Sequence, residues 1–294
     1  MKLILSAYPP FSLSTVIQSH GWIQLPAFNT DREAKELTFV YRLTPGKVVG
    51  LRIQETDSGV SVETDCQLSQ AEQDEIACKV TWMLGLDQDY SAFYALASNE
   101  PKLAYMQERA QGRVLRCPTL FEDVIKTILT TNTLWAHTIR MADALVLEYG
   151  DSLPADPARH AFPTAECLAA TDEESLRAKA RVGYRAPYIL GLARAVASGD
   201  LDLEALKTAD LYTTELRKQL MAIKGVGGYA AANLLMLLGR YDYVPVDSWA
   251  IKLVSHEWYN GAPVGQPEVE KAFEHWGEWK GLAFWFWDWS YHNG

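Results

Sequence analysis

The sequence predicts an α+β chain, with an antiparallel-sheet domain over residues 1–100 and a wholly helical unit over residues 101–294. Three observations carry this. Segments rich in β-branched residues and separated by turns gather in the first hundred residues, and that signal then fades. Beyond it, apolar residues recur at helical spacing. Finally, two helical runs meet at "KGVGGYAA", residues 224–231, where three glycines fall within four positions.

Length and composition fit such a chain. Its 294 residues suit two domains, and 48% hydrophobic content suits a globular core. No apolar run reaches the roughly 18–20 residues of a membrane span. At the start, "MKLILSAYPPFSL", Pro9 and Pro10 interrupt a short apolar run before any small-residue cleavage site, so a cytoplasmic protein is expected. The four cysteines (Cys66, Cys78, Cys117, Cys167) form no C-x-x-C pair, and the six histidines form no ligand-like pair. Neither a disulfide framework nor a metal centre is indicated. The net charge of −10 argues against a protein that coats nucleic acid through a global field. Residues 102–252, however, hold 18 basic and 18 acidic side chains, so the deficit lies outside them. Clustered arginines in "RAQGRVLR" and "RAKARVGYRA" can still build a local basic face.

In chain order, "KELTFVYRL", "KVVGLRIQET" and "GVSVETD" read as successive antiparallel strands with turns at "TPGK" and "DSG". "SLSTVIQSHGW" and "QAEQDEIACKVTWMLG" read as helices beside that sheet, the second with Ile76, Val80 and Met83 on its apolar face. "LFEDVIKTILTTN" repeats Leu120, Val124 and Ile128 at helical spacing; "RAPYILGLARAVASG", closed by Gly199, and "TTELRKQLMAI" are further helices. The proline-dense "DSLPADPARHAFPTAE" and "NGAPVGQP" read as loops, and the tryptophan-rich tail from "EVEKAFEHW" onward as helical.

Glycine costs roughly 1 kcal/mol against alanine within a helix, so the density at 225–228 calls for a reason. Glycines admit positive φ and bare the backbone N–H groups. At the start of a helix those groups, together with the helix dipole, favour an anion. A purely structural hairpin is the alternative. The chain goes on to "YVPVDSWAIKLV", in which Asp247, twenty residues after Gly227, stands at the N-cap of a following helix.

Hairpin, second helix and "VPVD" together resemble the helix-hairpin-helix (HhH-GPD) DNA glycosylase superfamily. "PTLFEDVIKTILTTNTLWAHTIR" looks like its early helix and DNA-reaching loop. "RVGYRAPYILGLARAV" resembles the 8-oxoguanine branch, and "WGEWKGLAFWF" the bacterial 3-methyladenine branch. The resemblance spans residues 100–294 and implies a TATA-binding-protein-like fold for the N-terminal sheet. It further implies base excision repair by a monomer on damaged double-stranded DNA in the bacterial cytosol or nucleoid. Gly225, Val226, Gly227 and Gly228 would anchor a phosphate, with Na+ or K+ on the hairpin carbonyls. Asn132 would fill the gap left by the flipped base, Tyr184 would stack on a neighbour, and Arg185 would touch the estranged base. His137 stands where the 8-oxoguanine branch has an arginine. Asp247 would be the catalytic carboxylate, and Tyr229, Trp249, Trp276 and Trp279 would line the base pocket.

Bifunctional members carry a nucleophilic lysine two residues after the second hairpin glycine; here that position is Tyr229. Lys224 precedes the turn, and Lys252 lies beyond Asp247. A monofunctional enzyme is therefore expected. No cysteine follows Cys167, so no iron–sulfur cluster is expected. Aromatic rings suit cationic alkylated purines such as 3-methyladenine and 7-methylguanine. The alternatives are an 8-oxoguanine glycosylase and, in a different class, a non-catalytic binder of damaged DNA.

Overall fold

The computed structural model describes residues 2–287 apart from Arg32, Ala34, Pro45 and Asp65, so the tail beyond Trp287 lies outside the described residues. Five strands, β1 (Lys2–Ser6), β2 (Phe28–Thr30), β3 (Glu36–Arg42), β4 (Val48–Thr56) and β5 (Gly59–Thr64), form one antiparallel sheet in the order β1-β5-β4-β3-β2. The helices are α1 (Leu13–Ile17), α2 (Gln70–Leu84), α3 (Ser91–Ala97), α4 (Leu120–Thr130), α5 (Trp135–Tyr149), α6 (Ala165–Ala169) and α7 (Glu173–Lys179). They continue with α8 (Ala186–Ala197), α9 (Thr213–Ala222), α10 (Gly228–Leu237), α11 (Ser248–Tyr259), α12 (Gln266–Ala272) and α13 (Lys280–Phe286). This is the α+β arrangement that the sequence predicts, an antiparallel sheet followed by helices.

Packing divides the chain into two compact units, residues 1–88 with 113–209, and residues 89–112 with 210–294. Both are discontinuous in sequence, so packing and chain order draw different lines. The five-stranded sheet ends at Thr64 and the helices after it begin with α2 at Gln70, and α3 belongs to the unit of the C-terminal helices.

In the first unit, alternation along β4 buries Val49, Leu51 and Ile53, with Leu51 opposite Phe39 and Ile53 opposite Leu37 and Val62. Helix α2 starts with a capping box between Ser69 and Glu72, ends on left-handed Gly85, and buries Ile76, Val80 and Met83. The segment read as a proline loop departs from expectation: β6 (Ser152–Leu153) and β7 (Asp156–His160) pair as a small hairpin. Long-range contacts hold it there. Arg42 pairs with Asp151 at 2.6 Å, Arg159 Nη2 donates to Thr38 Oγ1 at 3.2 Å, and Leu153 packs with Val40 and Ala161.

Helix α4 is buried on every side from Leu120 to Leu129, more fully than its spacing suggests. It carries an ion pair out of water, Lys126 Nζ to Glu122 Oε1 at 2.6 Å, and Lys126 also lies over the Phe28 ring at 4.7 Å. Asp123 Oδ1 accepts from Trp22 Nε1 at 2.8 Å and from the Cys117 N–H at 3.2 Å. Nearby, a ring nitrogen of His20 meets the Leu115 carbonyl at 2.6 Å.

The second unit is built on rings. Trp279 stacks on Tyr241 (5.5 Å between centroids, 20° between planes), Trp276 lies 6.1 Å from Phe93, and the Tyr90 and Tyr241 hydroxyls hydrogen-bond at 2.9 Å. The start of α13 is seated on this cluster. Gly281 N–H donates to the Tyr241 carbonyl at 2.6 Å, and a Cβ at Gly281 would lie 2.3 Å from the Tyr243 carbonyl oxygen. Only glycine permits so close an approach. The seat fixes the chain that leads through buried Val244 and Pro245 to Asp247.

Burial pushes the His20 pKa down to about 4 and the Asp123 pKa up to about 6. The two act in opposite senses. His20 withholds a proton in the fold, so its contribution is complete above its ordinary value of 6.5 and is lost as pH falls toward 4. Asp123 retains a proton in the fold, so its contribution grows as pH falls from about 6 toward 3.8. Replacing His20 by Gln removes the first and keeps the second. Thermal melts between pH 7 and 4 should show the variant gaining on the wild type as pH falls; parallel curves would contradict the assignment.

Candidate active site

In the second unit, α9 ends at Ala222 and α10 starts at Gly228. Between them Val226 N–H donates to the Ile223 carbonyl at 3.0 Å, which closes the turn, and Val226 is buried beneath it. Gly225 has φ +93, a conformation that L side chains rarely adopt. Gly227 differs. Its φ is −90, and a Cβ there would meet nothing within 4 Å. At Gly228 a Cβ would meet only the tip of Arg217, at 3.4 Å. Neither glycine is required by the protein's own packing. Helix α10 has no side-chain cap on Gly227, and among the described residues the N–H groups of Gly227, Gly228 and Tyr229 make no hydrogen bond.

At the next helix start the arrangement is reversed. Asp247 caps α11, its Oδ1 accepting from Trp249 N–H at 3.0 Å and Ala250 N–H at 2.8 Å. Among the described residues no hydrogen bond engages Oδ2, and the residue is half-buried. Tyr229, in the first turn of α10, reaches the same neighbourhood: burial raises its hydroxyl pKa, and the Asp247 carboxylate raises it further. Trp249, 38% exposed, follows Asp247 in α11. Hairpin, Tyr229, Asp247 and Trp249 therefore meet in one unit. Lys224 and Lys252 are both exposed.

Trp276 and Trp279 are placed differently from expectation. Trp276 is 4% exposed and belongs to the ring core, and Trp279, half-buried, stacks on Tyr241. Large aromatics gain most from such burial.

In the first unit, α4 and α5 join through an exposed loop. Asn132 adopts a left-handed φ of +47 at its tip, and Leu134 beside it is 72% exposed. His137 is exposed on the first turn of α5. Tyr184, 45% exposed, sets its hydroxyl 3.3 Å from the Thr131 carbonyl, which brings its ring to the same edge. Arg185 does not project from that edge. It is 5% exposed, its Nε donates to the Ile128 carbonyl at 3.2 Å, its Nη2 to the Thr131 carbonyl, and its guanidinium lies 4.5 Å from the Tyr184 ring. Arg185 thus closes the C-terminal end of α4, whose carbonyls lack helical partners. Leu134 escaped the sequence reading because a lone leucine before a helix looks like core; only its exposure marks it.

A family model described as "HhH-GPD superfamily base excision DNA repair protein" matches residues 125–278, a span that holds both the α4–α5 loop and the hairpin with Asp247. The chain belongs to this superfamily. Among its relatives, a DNA-3-methyladenine glycosylase of Bacillus subtilis is 28% identical over 75% of this chain and 74% of its own length. The N-glycosylase/DNA lyase OGG1 of Arabidopsis thaliana is 30% identical over 78% of this chain and 64% of its own length. Two solved structures share the fold. MBOgg1 in complex with a low-affinity DNA ligand has a TM-score of 0.76 at 24% identity, covering 97% of this chain and 93% of its own. The Archaeoglobus fulgidus 3-methyladenine DNA-glycosylase has a TM-score of 0.75 at 21% identity, covering 97% of each chain. This HhH-GPD member thus has relatives in both the 3-methyladenine and the OGG1 branches.

The two hairpin glycines should separate in a stability assay. Gly225→Ala places a Cβ at positive φ and should cost on the order of 1 kcal/mol, seen as a lowered Tm. Gly227→Ala should leave Tm nearly unchanged. Equal losses would mean that both glycines serve the fold.

Proposed function

We propose that this HhH-GPD DNA glycosylase is a monofunctional enzyme that releases alkylated purines, 3-methyladenine and 7-methylguanine, from double-stranded DNA. The observation that carries the reading is the half-used carboxylate of Asp247 beside a phenol, Tyr229, where a bifunctional enzyme needs an amine.

A base within a duplex is out of reach, so its nucleotide is flipped out at a cost of a few kcal/mol. The open N–H groups of Gly227, Gly228 and Tyr229 hold a backbone phosphate, as helix starts do. A Na+ or K+ ion on the hairpin would draw on the carbonyls of residues 224–226, since those of Ile223 and Gly227 are committed to Val226 and Ala231. Asn132 occupies the gap, with exposed Leu134 beside it, and Tyr184 stacks on the neighbouring base. Breaking the glycosidic bond leaves its electron pair on the purine and positive charge on the sugar. The Oδ2 of Asp247 stabilises that charge and takes the proton from the water that adds to C1′. An alkylated purine is already cationic and leaves as a neutral base, so no general acid is required. The exposed faces of Tyr229 and Trp249 suit such a cation. With no amine at position 229, no Schiff base forms and the strand stays intact. The enzyme acts as a monomer in the cytoplasm, on chromosomal DNA.

A second reading, 8-oxoguanine excision, rests on the "GYRAPY" segment and on the similarity to the Arabidopsis relative. Methylated duplex and an 8-oxoguanine duplex, incubated in parallel, distinguish the two. Chromatography should find free 3-methyladenine or 7-methylguanine, strands should remain whole until alkali is added, and borohydride should trap no covalent adduct. Release of 8-oxoguanine alone, or a trapped adduct, would contradict the proposal.

A further inference from the structure

The first unit contains a cleft of about 920 Å³ bounded by α5, the β6–β7 hairpin, strand β2 and the segment after α7. Its charged lining is uneven. His137, Arg140, Arg159, His160, Lys179 and Arg181 face Asp143 and Glu148. In a chain of net charge −10, so basic a cleft stands out, and a cleft concentrates the field of the charges that line it.

Several of these cations are not occupied by the protein. Arg140 and Arg181 are exposed, and among the described residues neither forms a hydrogen bond or an ion pair. Lys179 and Glu148 sit 3.9 Å apart across exposed side chains, a pair of little worth in water. Arg181 also holds a left-handed φ of +55, unusual for a residue with a side chain. The cleft is continuous with the α4–α5 loop, because Thr133 and His137 line it. From there it follows α5 to Glu148, roughly 20 Å of helix at 1.5 Å per residue. That is room for several successive phosphates at about 3.4 Å of axis each.

We propose that this cleft holds the phosphodiester backbone of the undamaged DNA strand, with Arg140 and Arg181 as its phosphate contacts. The assignment rests on the proposed function in one respect: the Asn132 edge, from which the cleft runs, is where the base opposite the lesion is left unpaired. Paired guanidinium groups suit phosphate geometry. A second strand gripped in this way keeps the duplex in place while the first strand gives up its nucleotide.

The test is the affinity of the Arg140→Ala/Arg181→Ala double variant for a duplex with a stable abasic-site analogue, measured from 50 to 200 mM salt. Both side chains are exposed and unpaired, so a thermal melt should match that of the wild type. The slope of log affinity against log salt should fall by about 2, and about tenfold of the wild-type gain between 200 and 50 mM should disappear. Cutting the undamaged strand back to the nucleotide opposite the lesion should weaken wild-type binding more than binding by the variant. An unchanged salt slope, or an equal response of both proteins to the shortened strand, overturns the proposal. An acidic protein as the occupant would appear as the first of these results. Because the probe carries no base to release, absence of glycosylase activity on every lesion would overturn the catalytic reading and leave this result standing.

Discussion

An α-helix begins with N–H groups that its own carbonyls cannot reach, and the candidate site depends on what becomes of them at two helix starts. At α10 they have no side-chain cap and, among the described residues, no hydrogen-bond partner. At α11 the Oδ1 of Asp247 takes two of them. The first start suits an anion from outside the protein. The second fixes the carboxylate in place through one oxygen and leaves the other without a hydrogen bond among the described residues. A carboxylate held by two backbone N–H groups loses little freedom when charge develops beside it, which is the condition for electrostatic stabilisation of a transition state.

The rest of the second unit keeps these starts in register. Tyr90, Phe93, Tyr241, Trp276 and Trp279 form a ring cluster, and Gly281 brings α13 against the backbone of residues 241–243 just before the link to Asp247. In the first unit Arg185 does similar work for the α4–α5 loop. Its guanidinium satisfies the carbonyls of Ile128 and Thr131, which holds the turn from which Asn132, Leu134 and His137 project. Asn132, Leu134 and His137 are exposed, while Arg185 behind them is buried and bonded.

The legible parts of the sequence were those with local causes. Alternation marked β3, β4 and β5, helical spacing marked α2, α4, α8 and α9, and the glycines at 225–228 and the cap at Asp247 marked the turn before α10 and the start of α11. Strand β2, three residues long, carries too little pattern to read, and β1 exists by pairing with β5, some 55 residues later. The β6–β7 hairpin was hidden by its prolines, because its contacts to β3 lie more than a hundred residues away. The same limit applies to single side chains. Arg185 and Trp276 are residue types that often meet ligands, and only their surroundings turn one into a helix cap and the other into core. Leu134 is the reverse case, an apolar residue that tertiary structure leaves in water.

The most direct test of the account is single-turnover release of 7-methylguanine from a methylated duplex by wild type and Asp247→Asn, with abasic-duplex affinity and Tm measured on the same preparations. Asparagine keeps an oxygen for the α11 cap and removes the charge. The account expects Tm and affinity close to wild type with base release lost by at least a hundredfold, on the order of what a transition-state electrostatic partner supplies. Release at the wild-type rate would contradict it, and would reduce Asp247 to the helix cap that its hydrogen bonds already describe.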